Sequence, residues 1–128
     1  MNFLTGDVAL LLLRLAVGII FVVHGWPKIR NLRETAQNFE GMGFKPGAFW
    51  GPLVAIVEFV GGLAIFFGLY TGLAALLLGV EMLVGTFWKM SRGQGLAGGY
   101  ELDLILLAGC IVLLALGPGV YAVEYRLL

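Results

Sequence analysis

Four stretches of this chain are apolar and close to one bilayer in length: about residues 7–26, 49–68, 72–88 and 102–116. A helix needs about 20 apolar residues to cross the hydrocarbon core. The third and fourth are short, but Leu69-Tyr70-Thr71 and flanking aromatic residues extend them into the interface. Tyr70, Trp88, Tyr100 and Tyr121 fall at predicted span ends, where amphipathic rings favour the headgroup layer. The sequence therefore predicts an all-α membrane protein. Its expected form is a four-transmembrane-helix bundle, one domain over residues 1–128.

Composition closes off the soluble alternative. Of 128 residues, 60% are hydrophobic and 12% charged, against about 45–50% and about 25% for soluble domains. Four buried helices would need a polar covering that the chain cannot supply. The first span lacks a positive leading segment and a small-residue cleavage site, and Arg14 interrupts it. It is expected to be retained rather than removed as a signal peptide. Net charge is zero and no basic block exists, so nucleic acid is not an expected partner.

Lysine and arginine set the expected orientation. The first loop carries Lys28, Arg30, Arg33 and Lys45, and the third carries Lys89 and Arg92; only Arg126 lies on the other side. Loops one and three are predicted to face the cytoplasm and both termini the outside. Within the first loop, Leu32, Ala36, Phe39 and Met42 recur at helical spacing, which predicts a short amphipathic helix lying in the interface between spans 1 and 2. Gly41 and Gly43 are expected to end it, and Lys45-Pro46-Gly47 to turn the chain back. Phe67-Gly-Leu-Tyr-Thr-Gly-Leu is short enough to make spans 2 and 3 an antiparallel hairpin. The loop Ser91–Tyr100 is glycine-rich, with no phosphate-cradling motif.

Ionisable residues inside the spans carry the functional argument. A charge at the bilayer centre costs roughly 2.5–3.5 kcal/mol even on lenient scales, yet Arg14, Glu58 and Glu81 each interrupt an apolar run. Counted at about 1.5 Å per residue, they lie roughly 10, 15 and 13 Å below the outer surface. An Arg14–Glu58 pair is the first expectation, with Glu81 as competitor or third member. Gly18 lies four residues from Arg14, Gly61 and Gly62 three and four from Glu58, and Gly79 and Gly85 bracket Glu81; all favour close helix approach. Two carboxyls for one guanidinium leave one glutamate best accommodated neutral. Arg14, Glu58 and Glu81 are therefore candidates for ligand binding or proton handling; the plainer reading is a pin that fixes helix register.

A second polar cluster is expected nearer the cytoplasmic face, from His24 and Lys28 at the end of the first span and Glu101 and Asp103 at the start of the fourth. With one histidine and one cysteine, Cys110, the chain offers neither paired imidazoles nor a dithiol, and Cys110 reads as a packing residue. No catalytic or metal motif is present, so no catalytic residue and no metal site is expected. Any redox cofactor is expected to be diffusible, such as a membrane quinone, and none covalently bound.

Three blocks carry a family resemblance. They are Leu11-Leu-Leu-Arg-Leu-Ala-Val-Gly-Ile-Ile-Phe-Val-Val-His-Gly-Trp-Pro-Lys, then Glu58-Phe-Val-Gly-Gly-Leu-Ala-Ile-Phe-Phe-Gly-Leu-Tyr-Thr-Gly-Leu-Ala-Ala, then Glu101-Leu-Asp-Leu-Ile-Leu-Leu-Ala with Gly117-Pro-Gly. In this order, over nearly the whole chain, they resemble the DoxX family of small four-helix membrane proteins. The resemblance implies a multi-pass protein of a prokaryotic cytoplasmic (inner) membrane. The family takes its name from a subunit associated with thiosulfate:quinone oxidoreductase, and some members are linked to membrane-bound oxidoreductase complexes. Its polar positions fall on Arg14, His24, Lys28, Glu58 and Glu101, whereas Glu81 is less typical. After Gly117-Pro-Gly the chain reads Val-Tyr-Ala-Val-Glu, where the family leads one to expect a more basic or tryptophan-bearing stretch.

The resulting expectation is a membrane subunit or anchor of a quinone-linked redox system, without its own redox centre. The lipid bilayer, a peripheral oxidoreductase on the cytoplasmic side and further copies of the chain are its expected partners. The alternative is an oligomeric small-molecule or proton-coupled carrier.

Overall fold

The first span does not stop at Trp26 as the sequence suggests but runs on through Pro27. In the computed structural model, which describes residues 5–127, α1 covers Gly6–Arg30. Pro27 sits in the last turn and removes only one late backbone hydrogen bond. Lys28 and Arg30 then sit where the helix dipole favours cations. At its start, the Thr5 hydroxyl accepts from the Val8 N–H at 3.3 Å.

Asn31 ends α1 and starts α2 (Leu32–Met42), accepting from the Glu34 N–H and donating to the Glu34 carboxylate. Buried Thr35 lies 2.9 Å from the carbonyl oxygens of both Lys28 and Asn31, tying α2 to the end of α1. The short helix between the first two spans is thus present. Its inward face is Thr35, Ala36, Phe39 and Met42, while Leu32, expected on that face, is 40% exposed. Gly43, at φ 98°, terminates it, and Trp88 Nε1 and Arg92 from the fourth helix donate to its last carbonyl, Met42 O.

Helices α3 (Gly47–Phe67) and α4 (Thr71–Ser91) form the anticipated hairpin, with Gly68 and Tyr70 both left-handed at the turn. An irregular turn over Leu96–Tyr100 leads into α5 (Glu101–Leu116), and a short α6 (Val123–Leu127) closes the described chain. Among the described residues, four helices are long and apolar enough to cross a membrane: Gly6–Arg30, Gly47–Phe67, Thr71–Ser91 and Leu96–Leu116.

The bundle is arranged as a ring: α1 packs on α3, α3 on α4, α4 on α5, and α5 makes a thinner contact back to α1, while α2 braces α3. Packing is closest between α1 and α3, because there glycine removes the side chain that would hold them apart. A Cβ on Gly18 would lie 2.8 Å from Gly62 O, and one on Gly25 2.7 Å from Phe59 N. Such backbone approach is what drives association where lipid offers no hydrophobic gain. The core between helices is small: Val17, Phe21, Ile65, Leu78, Leu106, Leu113 and their neighbours, with Cys110 packed among them. Large apolar side chains such as Ile19, Val60, Leu73, Phe87 and Ile105 instead point outward. An apolar surface this extensive suits acyl chains rather than water.

Candidate functional site

Helical side chains lean toward the N-terminus of their own helix, and this rule assembles the polar interior. Lys28 stands near the end of α1, so its ammonium swings back into the bundle. Glu58, midway along antiparallel α3, leans toward the same level from the opposite sense. They meet in an ion pair, Lys28 Nζ to Glu58 Oε1 at 2.7 Å. The lysine side chain is 36% exposed and the glutamate 5%, so the pair joins the surface to the interior. Gly25, one turn before Lys28, lets α1 reach the backbone at Glu58 and Phe59.

Glu81, midway along α4, faces this pair. Its carboxyl interacts with that of Glu58, with Lys28 of α1 and Asp103 of α5 also near enough to contribute. Yet neither Glu81 oxygen, nor Glu58 Oε2, has a hydrogen-bond donor among the described residues. Ionised carboxylates only accept; a carboxyl donates only when it carries a proton. A proton held between Glu58 and Glu81 would supply the missing donor.

Asp103 continues the line. Its carboxylate accepts from Lys89 Nζ at 2.8 Å. A Cβ on Gly85, one turn from Glu81, would come 2.6 Å from Asp103 Oδ2, so the glycine makes room for the carboxylate. The sequence points to Gly85 as a residue of close approach; the structure gives it this neighbour. Lys89 enters the sequence argument only as a loop charge. Its signal was available: a lysine ending one helix, an aspartate opening the next, and a side chain that leans back into the bundle.

Arg14 is elsewhere, and the expected Arg14–Glu58 pair is not formed. Its side chain leans toward the start of α1, away from mid-bundle. Nε donates to Pro118 O at 2.9 Å, and Nη1 to Phe66 O at 2.9 Å and Ile65 O at 3.3 Å. A buried guanidinium thus caps the carbonyl end of α3, where the helix dipole favours a cation. Glu124 completes this end of the bundle: its carboxylate accepts from the Thr71 N–H that opens α4, and its N–H donates to Gly68 O. Asp7 accepts from the Val120 N–H. Arg14 is the centre of a latch joining α1, α3 and the chain after α5.

The second expected cluster also divides. Lys28 goes to Glu58 and Asp103 to Lys89. His24 is exposed, and its Nδ1 lies 2.8 Å from Ile20 O, one turn back in its own helix. Glu101 is exposed and accepts from the Gly98 N–H at 3.2 Å. Neither reaches the other, because α1 turns His24 outward.

The line Lys28–Glu58–Glu81–Asp103–Lys89 runs from the α2 end to mid-bundle and back. Two grooves lie on the bundle; of these five residues Lys28 lines the first, and none lines the second. A polar one of about 410 Å³, with Lys28, Arg30, Asn31, Glu34 and Asn38 in its wall, opens at the α2 end. An apolar one of about 310 Å³ lies between α3 and α4, lined by Val57, Gly61, Leu73 and Leu77 among others, with Tyr70 at its rim. Leu77 stands one turn from Glu81 and Gly61 one turn from Glu58.

These residues fall largely within a stretch similar to known proteins. The DoxX family model matches residues 9–90, from α1 through nearly all of α4. Over 120 residues the chain is 38% identical to "Inner membrane protein YqjF" of Escherichia coli, covering 92% of this chain and 91% of that protein. It is 32% identical over 118 residues to "Putative oxidoreductase CatD" of Bacillus subtilis, covering 92% and 86%. With "Inner membrane protein YphA" of E. coli it shares 28% over 128 residues, covering 93% and 90%. No solved structure matches the chain. Four spans, a family match over most of the length, and a relative aligned nearly end to end lead to one conclusion: this multi-pass membrane protein belongs to the DoxX family.

Proposed function

We propose that this protein is the proton-handling membrane subunit of a quinone-linked oxidoreductase system in the inner membrane. The observation that carries the reading is the Glu58–Glu81 contact: two buried carboxyls at mid-bilayer, short of donors and beside Lys28. The name of the B. subtilis relative agrees with a redox role. The chain's own residues serve as proton donor and binding wall, and electrons come from a partner.

The residues fit a quinone. A quinone supplies a two-electron acceptor whose carbonyl oxygens take up two protons as it becomes quinol. Protonated Glu81 offers a hydrogen bond to such an oxygen and a proton after it. Lys28 pairs with Glu58 at 2.7 Å, which leaves the one proton of the carboxyl pair to Glu81. Gly61, Leu73 and Leu77 provide an apolar wall for an isoprenoid tail. The basic first and third loops, placed by lysine and arginine bias on the cytoplasmic side, are the docking face for a peripheral oxidoreductase.

The carrier reading receives less support, since a through-path would have to pass the Arg14 latch. The test is quinone binding to purified protein in lipid nanodiscs, followed by quenching of tryptophan fluorescence. Glu81→Leu is expected to weaken binding by about fivefold, the loss of one neutral hydrogen bond worth about 1 kcal/mol. Equal binding by wild type and Glu81→Leu, or none by either, refutes the site. Gentle extraction of native membranes should bring down an oxidoreductase; recovery of the chain alone refutes the subunit role.

A further inference from the structure

We infer that the proton shared by Glu58 and Glu81 exchanges with one side of the membrane alone, the side that carries α2. This rests on the proton-handling reading of that pair and adds its direction.

The α2 side has a continuous polar route. The groove there reaches Lys28, whose partly exposed ammonium contacts Glu58 Oε1, and Glu58 in turn faces Glu81. Glu58 is 4% exposed, and its Oε2 has no partner among the described residues, so an acceptor points into the interior end of the route. The second branch, Asp103 with Lys89, opens at this same end, since α4 finishes and α5 begins there. Both branches lead to one face.

The other side is sealed twice. From Glu81 to the start of α4 is about 15 Å of helix; Ala74, Ala75, Leu78, Phe21, Ile65 and Leu113 are buried along it and against it, and Thr71 at its far end is the one buried polar side chain of this part of α4. Beyond them lies Arg14, held by three carbonyl hydrogen bonds. A fixed guanidinium across a narrow path is an electrostatic barrier to protons. The groups that face Glu81 are Lys28 on α1, Glu58 on α3, and Asp103 and the Cys110 thiol on α5, with Lys89 of its own helix engaged by Asp103. Lys28, Glu58, Asp103 and Lys89 all belong to the α2-side route.

The test needs neither quinone nor partner. Dicyclohexylcarbodiimide, an apolar reagent, adds to a carboxyl only when it is protonated, and peptide mass mapping locates the adduct. Full-length protein is reconstituted in sealed vesicles, and trypsin access to Arg33 reports which way α2 faces. Raising the pH on the α2 side should slow labelling of Glu81, approaching about tenfold per pH unit within its titration range. The same change on the opposite side should leave the rate unaltered. Control by the opposite side, or by both equally, overturns the inference while leaving the proton-handling pair intact. No label on Glu81 at any pH removes the pair itself and the inference with it. Glu81→Gln should lose the adduct, and the wild-type sidedness stands without it.

Discussion

Lys28 and Glu58 are thirty positions apart and meet at 2.7 Å, one side chain largely reachable from the interface and the other enclosed. The pair connects water to mid-bilayer and fixes α1 against α3 at the point where Gly25 brings their backbones together. Opposite it, neither Glu81 oxygen has a hydrogen-bond donor among the described residues.

Removing one member should cost more than removing both. Lys28→Met leaves Glu58 enclosed without its cation and is expected to lose about 2–3 kcal/mol, below the roughly 3–5 typical of fully buried pairs because Lys28 is partly exposed. Lys28→Met with Glu58→Leu should recover most of the loss. Unfolding in mixed detergent micelles measures both; a double variant as weak as the sum of its parts refutes the pairing.

Arg14 and Glu58 should behave independently. Arg14 bonds the α3 carbonyls at Ile65 and Phe66, and Ile65 lies seven residues, about 10 Å of helix, from Glu58. In a double-mutant cycle of Arg14→Leu and Glu58→Leu, the coupling should stay within about 0.5 kcal/mol. A coupling several times larger would show that they share an interaction after all.

The α1–α3 crossing should reject a single methyl group. A Cβ at Gly18 falls 2.8 Å from backbone atoms of α3, which cannot swing aside. Gly18→Ala is expected to cost about 1–3 kcal/mol through overpacking. Gly72→Ala meets nothing within 4 Å and should be neutral or stabilising by up to about 1 kcal/mol. Thermal unfolding of the two variants side by side checks the contrast.

Glu124→Ala should loosen the latch end. It removes the acceptor for the Thr71 N–H at the start of α4, a cap worth about 0.5–2 kcal/mol. Hydrogen exchange should rise at Thr71 and across residues 118–127, while the amides around Glu58 keep their protection. Unchanged exchange at Thr71 would mean that the cap does not hold in the membrane.

The spans, the α3–α4 hairpin and the short helix α2 were legible because length, hydropathy and glycine placement are local properties of the chain. The sequence also singled out Glu58 and Glu81 as charges too costly to face lipid. What it could not supply was partnership. Residue depth counted along a helix locates a Cα, but a long side chain ends a turn or more away, in a direction set by the sense of its own helix. Arg14 and Lys28 share α1 and lean the same way, which carries the first out to the α3 carbonyls and the second in toward Glu58. His24, one turn from Lys28 on nearly the same face, stays exposed with its ring against Ile20 O of its own helix. Which charges exist inside the membrane was decided by composition; which of them touch was decided by the rotation and antiparallel packing of the helices that carry them.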